Sequence, residues 1–114
     1  MENTVMESID LTKVADLFSL SEEELLKEAI ELFLQQKKRE IQQVQQEILS
    51  QYGVTSREDL KQLIFQNKIE EYPALEDVIV TENLTGYLDL LDVYLGNLSS
   101  VKIISSNDLV PMAA

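Results

Sequence analysis

Residues 21–52, SEEELLKEAIELFLQQKKREIQQVQQEILSQY, decide the fold because they carry one uninterrupted helical pattern. Apolar residues recur at intervals of three and four with one skipped turn, as one face of an α-helix requires: Leu26, Ile30, Phe33, Ile41, Val44 and Ile48. A single helix over this stretch is roughly 50 Å long, more than the diameter of a compact domain of this size. The sequence therefore predicts an all-α protein with a long central helix that contacts partners outside its own core.

Both ends of this helix carry the residues that begin and end helices. Ser21 followed by Glu24 forms a capping box, in which each side chain accepts a hydrogen bond from the other residue's free backbone N–H. The carboxylates of Glu22 and Glu23 suit the positive end of the helix dipole. Gly53 is placed to end the helix in a left-handed conformation. These signals predict a helix start at residue 21 and a stop at residue 53.

Shorter helices flank the central one. Asp10 caps a helix that extends to Phe18, and either Thr55 or Ser56 caps a third helix that ends near Asn67. A fourth helix carries leucines in heptad alternation, namely Leu84, Leu88, Leu91, Leu95 and Leu98. The β-branched run at 78–81 leaves the conformation just before this helix undetermined. We expect one helical domain over residues 1–98 and a flexible tail over 99–114.

The chain has a large excess of acidic residues. The 114-residue chain is 45% hydrophobic, as in soluble globular proteins, and its formal net charge is −12. Such a surface repels the phosphates of nucleic acids and attracts basic proteins. Solvation of an acidic surface explains the same charge without any partner, so both interpretations stay open.

Acidic and basic residues also occupy different segments. Acidic side chains crowd residues 2–31 and 70–92, whereas positive charge is concentrated at Lys37, Lys38 and Arg39. Blocks of opposite sign attract one another. The pattern predicts that the later segment returns antiparallel along the middle of the long helix.

Several classes of function are disfavoured by what the composition lacks. Without His or Cys there is no Ser-His-Asp triad, cysteine nucleophile or usual zinc site, and three glycines make no phosphate-binding loop. Glu24, Glu28 and Glu31 share a helix face, for which solvation is the preferred interpretation over a metal site. We expect a non-enzymatic, cytoplasmic protein without a cofactor, a secretory signal or a membrane span.

Residues 20–34, LSEEELLKEAIELFL, resemble the second helix of ribbon-helix-helix proteins, in which a capping Ser precedes an apolar segment that forms the dimer core. The resemblance implies that Met1–Ile9 is the ribbon and that residues 11–18 are the first helix. It also implies a homodimer built by residues 1–52. The implied dimer interface consists of Leu25, Leu26, Ala29, Ile30, Phe33 and Leu34.

Many ribbon-helix-helix proteins are antitoxins, whose C-terminal half wraps a toxin, and GVTSREDL at 53–60 with the acidic leucine helix also resembles this group. The resemblance implies that residues 53–98 bind and neutralise a basic, RNA-cutting toxin. Acidic side chains would mimic phosphate, and leucines and a tyrosine would anchor the contact. The expected partner-binding residues are Asp77, Glu82, Leu88, Asp89, Leu91, Asp92, Tyr94 and Leu95.

Two alternatives accompany this hypothesis. One is a DNA-binding repressor, in which the start of the helix at Ser21 contacts phosphate as in the family. The glutamates beside Ser21 oppose this contact, and Met1–Ile9 contains no Lys or Arg to read DNA. The other alternative is a structural helical adaptor with no toxin partner.

Overall fold

The computed structural model describes residues 5–105, which form an all-helical structure. The helices are α1 (Leu11–Leu17), α2 (Glu22–Ser50), α3 (Arg57–Phe65) and α4 (Glu71–Asn97). No strand occurs within residues 5–105. The predicted all-α fold with a long central helix is therefore confirmed.

The ends of the described chain differ in how they are held. Residues 5–9, in the predicted ribbon, have no regular secondary structure, and the rest of that ribbon lies outside the described residues. At the other end, Lys27 Nζ donates a hydrogen bond to the carbonyl oxygen of Ser99 (3.3 Å). The Ile103 amide donates to Glu23 Oε1 (3.4 Å). The first residues of the predicted tail thus lie beside the start of α2, and residues 106–114 lie outside the described range.

Helices α2 and α4 form an antiparallel hairpin. Lys38 Nζ lies 2.8 Å from Asp92 Oδ1. Further along, Gln45 Nε2 donates to the Thr81 carbonyl (3.2 Å) and to Thr85 Oγ1 (3.0 Å). Partners on α4 move towards its N-terminus as those on α2 move towards its C-terminus, which defines an antiparallel pair. The return of the acidic segment along the middle of the long helix is confirmed.

The helix starts follow the capping residues. Ser21 Oγ accepts the Glu24 amide (3.1 Å), and Glu24 Oε1 accepts the Ser21 amide (3.3 Å), so the predicted capping box is present. The side chains of Asp10 and Ser56 cap α1 and α3 by accepting the backbone amides of Thr12 and Asp59, without a reciprocal bond. Of the two caps considered for α3, Ser56 is therefore correct and Thr55 is not.

Each of the three loops between helices contains a residue in the left-handed conformation. At the end of α2, the Gly53 amide donates to Ser50 O (3.0 Å) and the Val54 amide to Leu49 O (3.3 Å), which is the Schellman pattern. Leu49 and Val54 also belong to one hydrophobic cluster. The left-handed residues after α1, α2 and α3 are Ser19, Gly53 and Asn67.

The main core lies where α2 ends, α3 packs and α4 begins. Its buried members are Leu49, Leu60, Ala74 and Val78. Burial of Val78 and Thr81 holds the β-branched run in the helix, and the Thr81 hydroxyl donates to the Val78 carbonyl (2.8 Å). Tyr72 is extended (φ −111°, ψ 136°), so regular helix in α4 begins at Pro73.

The molecule is flat and extended. Its extents are 62 × 54 × 25 Å and its radius of gyration is 21.6 Å, whereas a compact domain of this length has a radius of gyration of about 13 Å. Packing at one end therefore leaves much of the hairpin exposed on its sides.

Candidate protein-binding surfaces

The outward sides of α2 and α4 differ in chemistry. On α2 the exposed side is polar and includes Gln36, Arg39, Gln43, Gln46 and Glu47. On one side of α4 nine exposed positions carry no charge, and we call them the outer face of α4: Ile79, Val80, Asn83, Gly86, Tyr87, Leu90, Val93, Tyr94 and Asn97. Apart from Leu32, which is 72% exposed on the same side, this side of α2 is suited to remain in water, whereas the outer face of α4 is not.

The outer face exists because α4 carries two apolar series. The predicted leucine series is half-buried: Leu84, Leu88, Leu91, Leu95 and Leu98. A second series also alternates steps of three and four, through Val80, Asn83, Tyr87, Leu90, Tyr94 and Asn97. Sequence reasoning missed the second series as a surface of its own because the leucines gave the stronger signal.

A groove lies between the start of α2 and the end of α4. It has a volume of about 500 Å³ and is lined by Glu24, Lys27, Glu28, Glu31, Leu95, Leu98 and Ser99. The two leucines are half-buried and the three glutamates are exposed. Lys27 is engaged by the carbonyl of Ser99, as described above. We call this feature the acidic groove, because it combines apolar leucines with three carboxylates.

Most of the acidic residues expected to contact a partner bind within the chain. Asp77 accepts a hydrogen bond from the Tyr52 hydroxyl, and this bond raises the pKa of Tyr52 to about 12. Glu82 Oε1 lies 3.2 Å from Lys61 Nζ, and Asp92 pairs with α2 as described above. Asp89 is exposed. An internal pair does not prevent partner binding, but the partner must then compete with a lysine or a tyrosine.

The apolar residues of the same expected set divide between two sides of α4. Leu88, Leu91 and Leu95 belong to the half-buried series, and Leu95 also lines the acidic groove. Tyr94 lies on the outer face with 61% of its surface exposed. The structure therefore does not bring the eight expected residues together on one surface.

The residues expected at the dimer interface also divide by exposure. Leu25, Leu26, Ile30 and Leu34 are half-buried, whereas Ala29 and Phe33 are exposed. Ile30 and Leu34 share a helix face with Lys38, which contacts α4.

Beside this set, the N-terminal half of α2 has its own exposed apolar groups. Phe33 has Lys37 Nζ 5.4 Å from its ring centroid. Leu32, which sequence reasoning did not select, is 72% exposed. The exposed members keep this half of α2 available for a partner, and the expected interface stays a prediction.

Ser21, the expected phosphate contact, belongs to the capping box. Its hydroxyl and its amide are both bonded to Glu24. Glu22 and Glu23 follow directly and are exposed. A phosphate approaching this helix start would meet three carboxylates.

None of the helices formed by residues 5–105 combines the length and the apolar character that a membrane crossing requires. In the same range, no group of three or more His, Cys, Asp or Glu residues is arranged to hold a metal ion.

The fold and these surfaces define an all-helical protein organised around a long antiparallel hairpin. Residues 3–103 match the model of the Uncharacterized protein MJ0235 family, and the chain belongs to this family. The match includes all four described helices. No curated protein and no solved structure matches the chain.

Proposed function

We propose that this protein is a protein-binding module that captures a basic partner protein, and the acidic groove is the observation that carries the proposal. Lys and Arg side chains have an apolar stem and a charged head. In the groove, Leu95 and Leu98 suit the stem, and the carboxylates of Glu24, Glu28 and Glu31 suit the head. One surface thus offers both contacts that a basic side chain needs.

The charge of the whole chain supports this partner class. The net charge is −12, and no Lys or Arg occurs from residue 69 to residue 101. A field of one sign speeds the encounter with a partner of opposite charge. An acidic binding module would therefore associate fastest at low ionic strength.

An antitoxin that neutralises a basic, RNA-cutting toxin is the specific form of this proposal. It rests on the resemblance of residues 20–34 to ribbon-helix-helix antitoxins and on the acidic character of α4. A structural adaptor is the second candidate, and the radius of gyration of 21.6 Å favours it because an extended molecule can bridge two proteins. Operator binding has less support, since carboxylates surround Ser21.

The test replaces Glu28 and Glu31 with Lys in one chain. Because the acidic groove would then repel basic side chains, we expect capture of a basic protein to fall at least about tenfold. The matched control is Glu47→Lys, since Glu47 is also an exposed glutamate of α2 but lies outside the groove. The measurement is quantitative mass spectrometry of proteins retained from the source lysate at low salt.

The antitoxin form has its own measurement. Cells that express the basic product of the adjacent gene should grow only when this chain is also present, and the double Glu→Lys variant should fail to restore growth. Equal capture by the double variant and the wild type would contradict the proposed role of the acidic groove in binding. Equal growth with and without the chain would contradict the antitoxin role while leaving the groove intact.

A further inference from the structure

The outer face of α4 lacks charge over its whole length. In a chain of which 26% of residues are charged, the nine exposed positions of this face, between Ile79 and Asn97, carry none. Of the neighbouring acidic residues, Glu82 and Asp89 lie to one side of this face by helical periodicity, and the exposed Glu76 lies in line with the face one turn before Val80. Tyr87 is 62% exposed on it. A face without charge is suited to contact a neutral surface and not a basic one.

The face contains a hole of the kind that receives a side chain from a second helix. A shallow depression of about 480 Å³, largely open to solvent, is lined by Asn83, Gly86, Tyr87 and Leu90. These residues follow the i, i+3, i+4, i+7 spacing of the four-residue hole in knobs-into-holes packing. Nothing lies within 4 Å of the place where a Cβ on Gly86 would be. The glycine therefore leaves the hole open enough for a large side chain.

We propose that a second copy of this chain docks antiparallel on the outer face of α4, with the two-fold axis at Leu90. In that register residue 94 of each copy lies level with residue 86 of the other. The ring of Tyr94 then fills the hole above Gly86, twice in the dimer. Leu90 meets its own symmetry mate at the centre.

The register explains the remaining residues of the face. Asn83 comes level with Asn97 of the second copy. Asn97 Nδ2 donates to the Val93 carbonyl of its own helix (2.7 Å), which leaves Asn97 Oδ1 to accept from the Asn83 amide across the interface. Tyr87 comes level with Val93, a smaller residue. Large side chains thus face small ones, and polar groups face polar groups.

The same features favour a second copy over a basic protein as the occupant. A knob and its hole lie on the same face at equal distances on either side of Leu90, which is what an isologous two-fold contact requires. A basic partner would find no carboxylate among the nine positions. Since the contact itself is uncharged, two copies can meet there without like charges in direct opposition.

The area of the face is sufficient for a specific dimer. Tyr87 and Tyr94 are 62% and 61% exposed and Leu90 is 51% exposed, and an aromatic side chain can bury about 150–250 Å². With the flanking Val80 and Val93, two copies would remove on the order of 1,000 Å² from water, the lower bound for a specific interface. The proposal does not rest on the proposed function, because it uses a different side of α4.

The first test exploits the absence of native cysteine. In a Leu90→Cys variant the two thiols would lie within roughly 10 Å, the spacing of packed helices, so a short bis-maleimide should link most chains into dimers. Leu32→Cys is the control, since Leu32 is an exposed leucine of α2. Equal linkage of the two variants, or linkage only at Leu32, would overturn the proposal.

The second test fills the hole. Gly86→Gln should weaken dimerisation at least about tenfold in sedimentation equilibrium, because its side chain occupies the place of Tyr94. Gly96→Gln is the control, as Gly96 is also an open glycine of α4 but does not belong to the outer face. Both substitutions raise helix propensity, so a monomer cannot be attributed to unfolding. A wild type that is monomeric at high concentration, or a Gly86→Gln variant that dimerises like the wild type, would refute the docking of a second copy on the outer face of α4.

Discussion

At the scale of single residues, Tyr52 connects the end of α2 to the start of α4. Its hydroxyl donates a hydrogen bond to Asp77, and its ring packs against the core cluster. The hydrogen bond holds the proton on the phenol, and together with burial it raises the pKa of Tyr52 to about 12. A pKa that differs between the folded and the unfolded chain makes stability depend on pH.

Loss of the hydrogen bond between Tyr52 and Asp77 should make the protein less stable at alkaline pH. Because the folded pKa of about 12 exceeds the ordinary value of 10.0, the stabilisation by Tyr52 is complete below pH 10 and is lost as the pH rises towards 12. Tyr52→Phe should lower the free energy of unfolding by about 1 kcal/mol at neutral pH and should reduce its decline above pH 10. Urea titrations at several pH values measure both effects.

The control for this prediction is Tyr72→Phe. Tyr72 is an exposed tyrosine with extended backbone just before the regular part of α4, so this variant should keep the wild-type loss of stability above pH 10. Parallel pH profiles for the wild type and Tyr52→Phe would show that the bond to Asp77 does not control the alkaline response.

At the scale of the elements, local chemistry predicted the starts of α1 and α2 and narrowed the start of α3 to Thr55 or Ser56. Asp10, Ser21 and Ser56 cap through bonds within a few residues of themselves, so a sequence window contains their partners. The helical state of residues 78–81 is different. It depends on burial of Val78 and Thr81 against other helices, which no local window contains.

The candidate surfaces also depend partly on local sequence and partly on packing between helices. The sequence placed Glu24, Glu28 and Glu31 on one helix face, but only the hairpin brings Leu95 and Leu98 opposite them. On α4 two apolar series have the same spacing, so periodicity alone does not tell which one is buried. Packing against α2 selects the leucines and leaves the tyrosines exposed.

Replacing glycine with alanine should change stability in opposite directions at a helix end and inside a helix. Gly53 has a φ of +68°, so Gly53→Ala should destabilise the protein by about 1 kcal/mol. Gly96 lies inside α4 with open space around its Cβ position, so Gly96→Ala should stabilise it by up to about 1 kcal/mol. Urea midpoints of the two variants measure the contrast, and the same sign for both would contradict the assigned helix end.

At the scale of the whole molecule, one end carries the core while the sides of the hairpin stay exposed. Leu49 and Leu60 are buried at the α3 end, whereas Leu32 and Leu90 are largely exposed on α2 and α4. Extents of 62 × 54 × 25 Å accompany this uneven packing. Assembly with other chains is the direct way for such a molecule to remove apolar surface from water.

The two proposed assemblies should respond to salt in opposite directions. Two copies of charge −12 repel each other at long range, and the outer face of α4 offers no charged contacts that salt would weaken. Self-association should therefore tighten between about 0.01 and 1 M NaCl, where the Debye length falls from about 30 to 3 Å. Capture of a basic protein by the acidic groove should weaken over the same range, because screening removes the attraction.

Sedimentation equilibrium measures self-association, and quantitative capture measures binding of the basic protein. A dimer that dissociates as salt rises would mean that charged groups hold it, and capture that survives 1 M NaCl would mean that the carboxylates of Glu24, Glu28 and Glu31 do not select the partner.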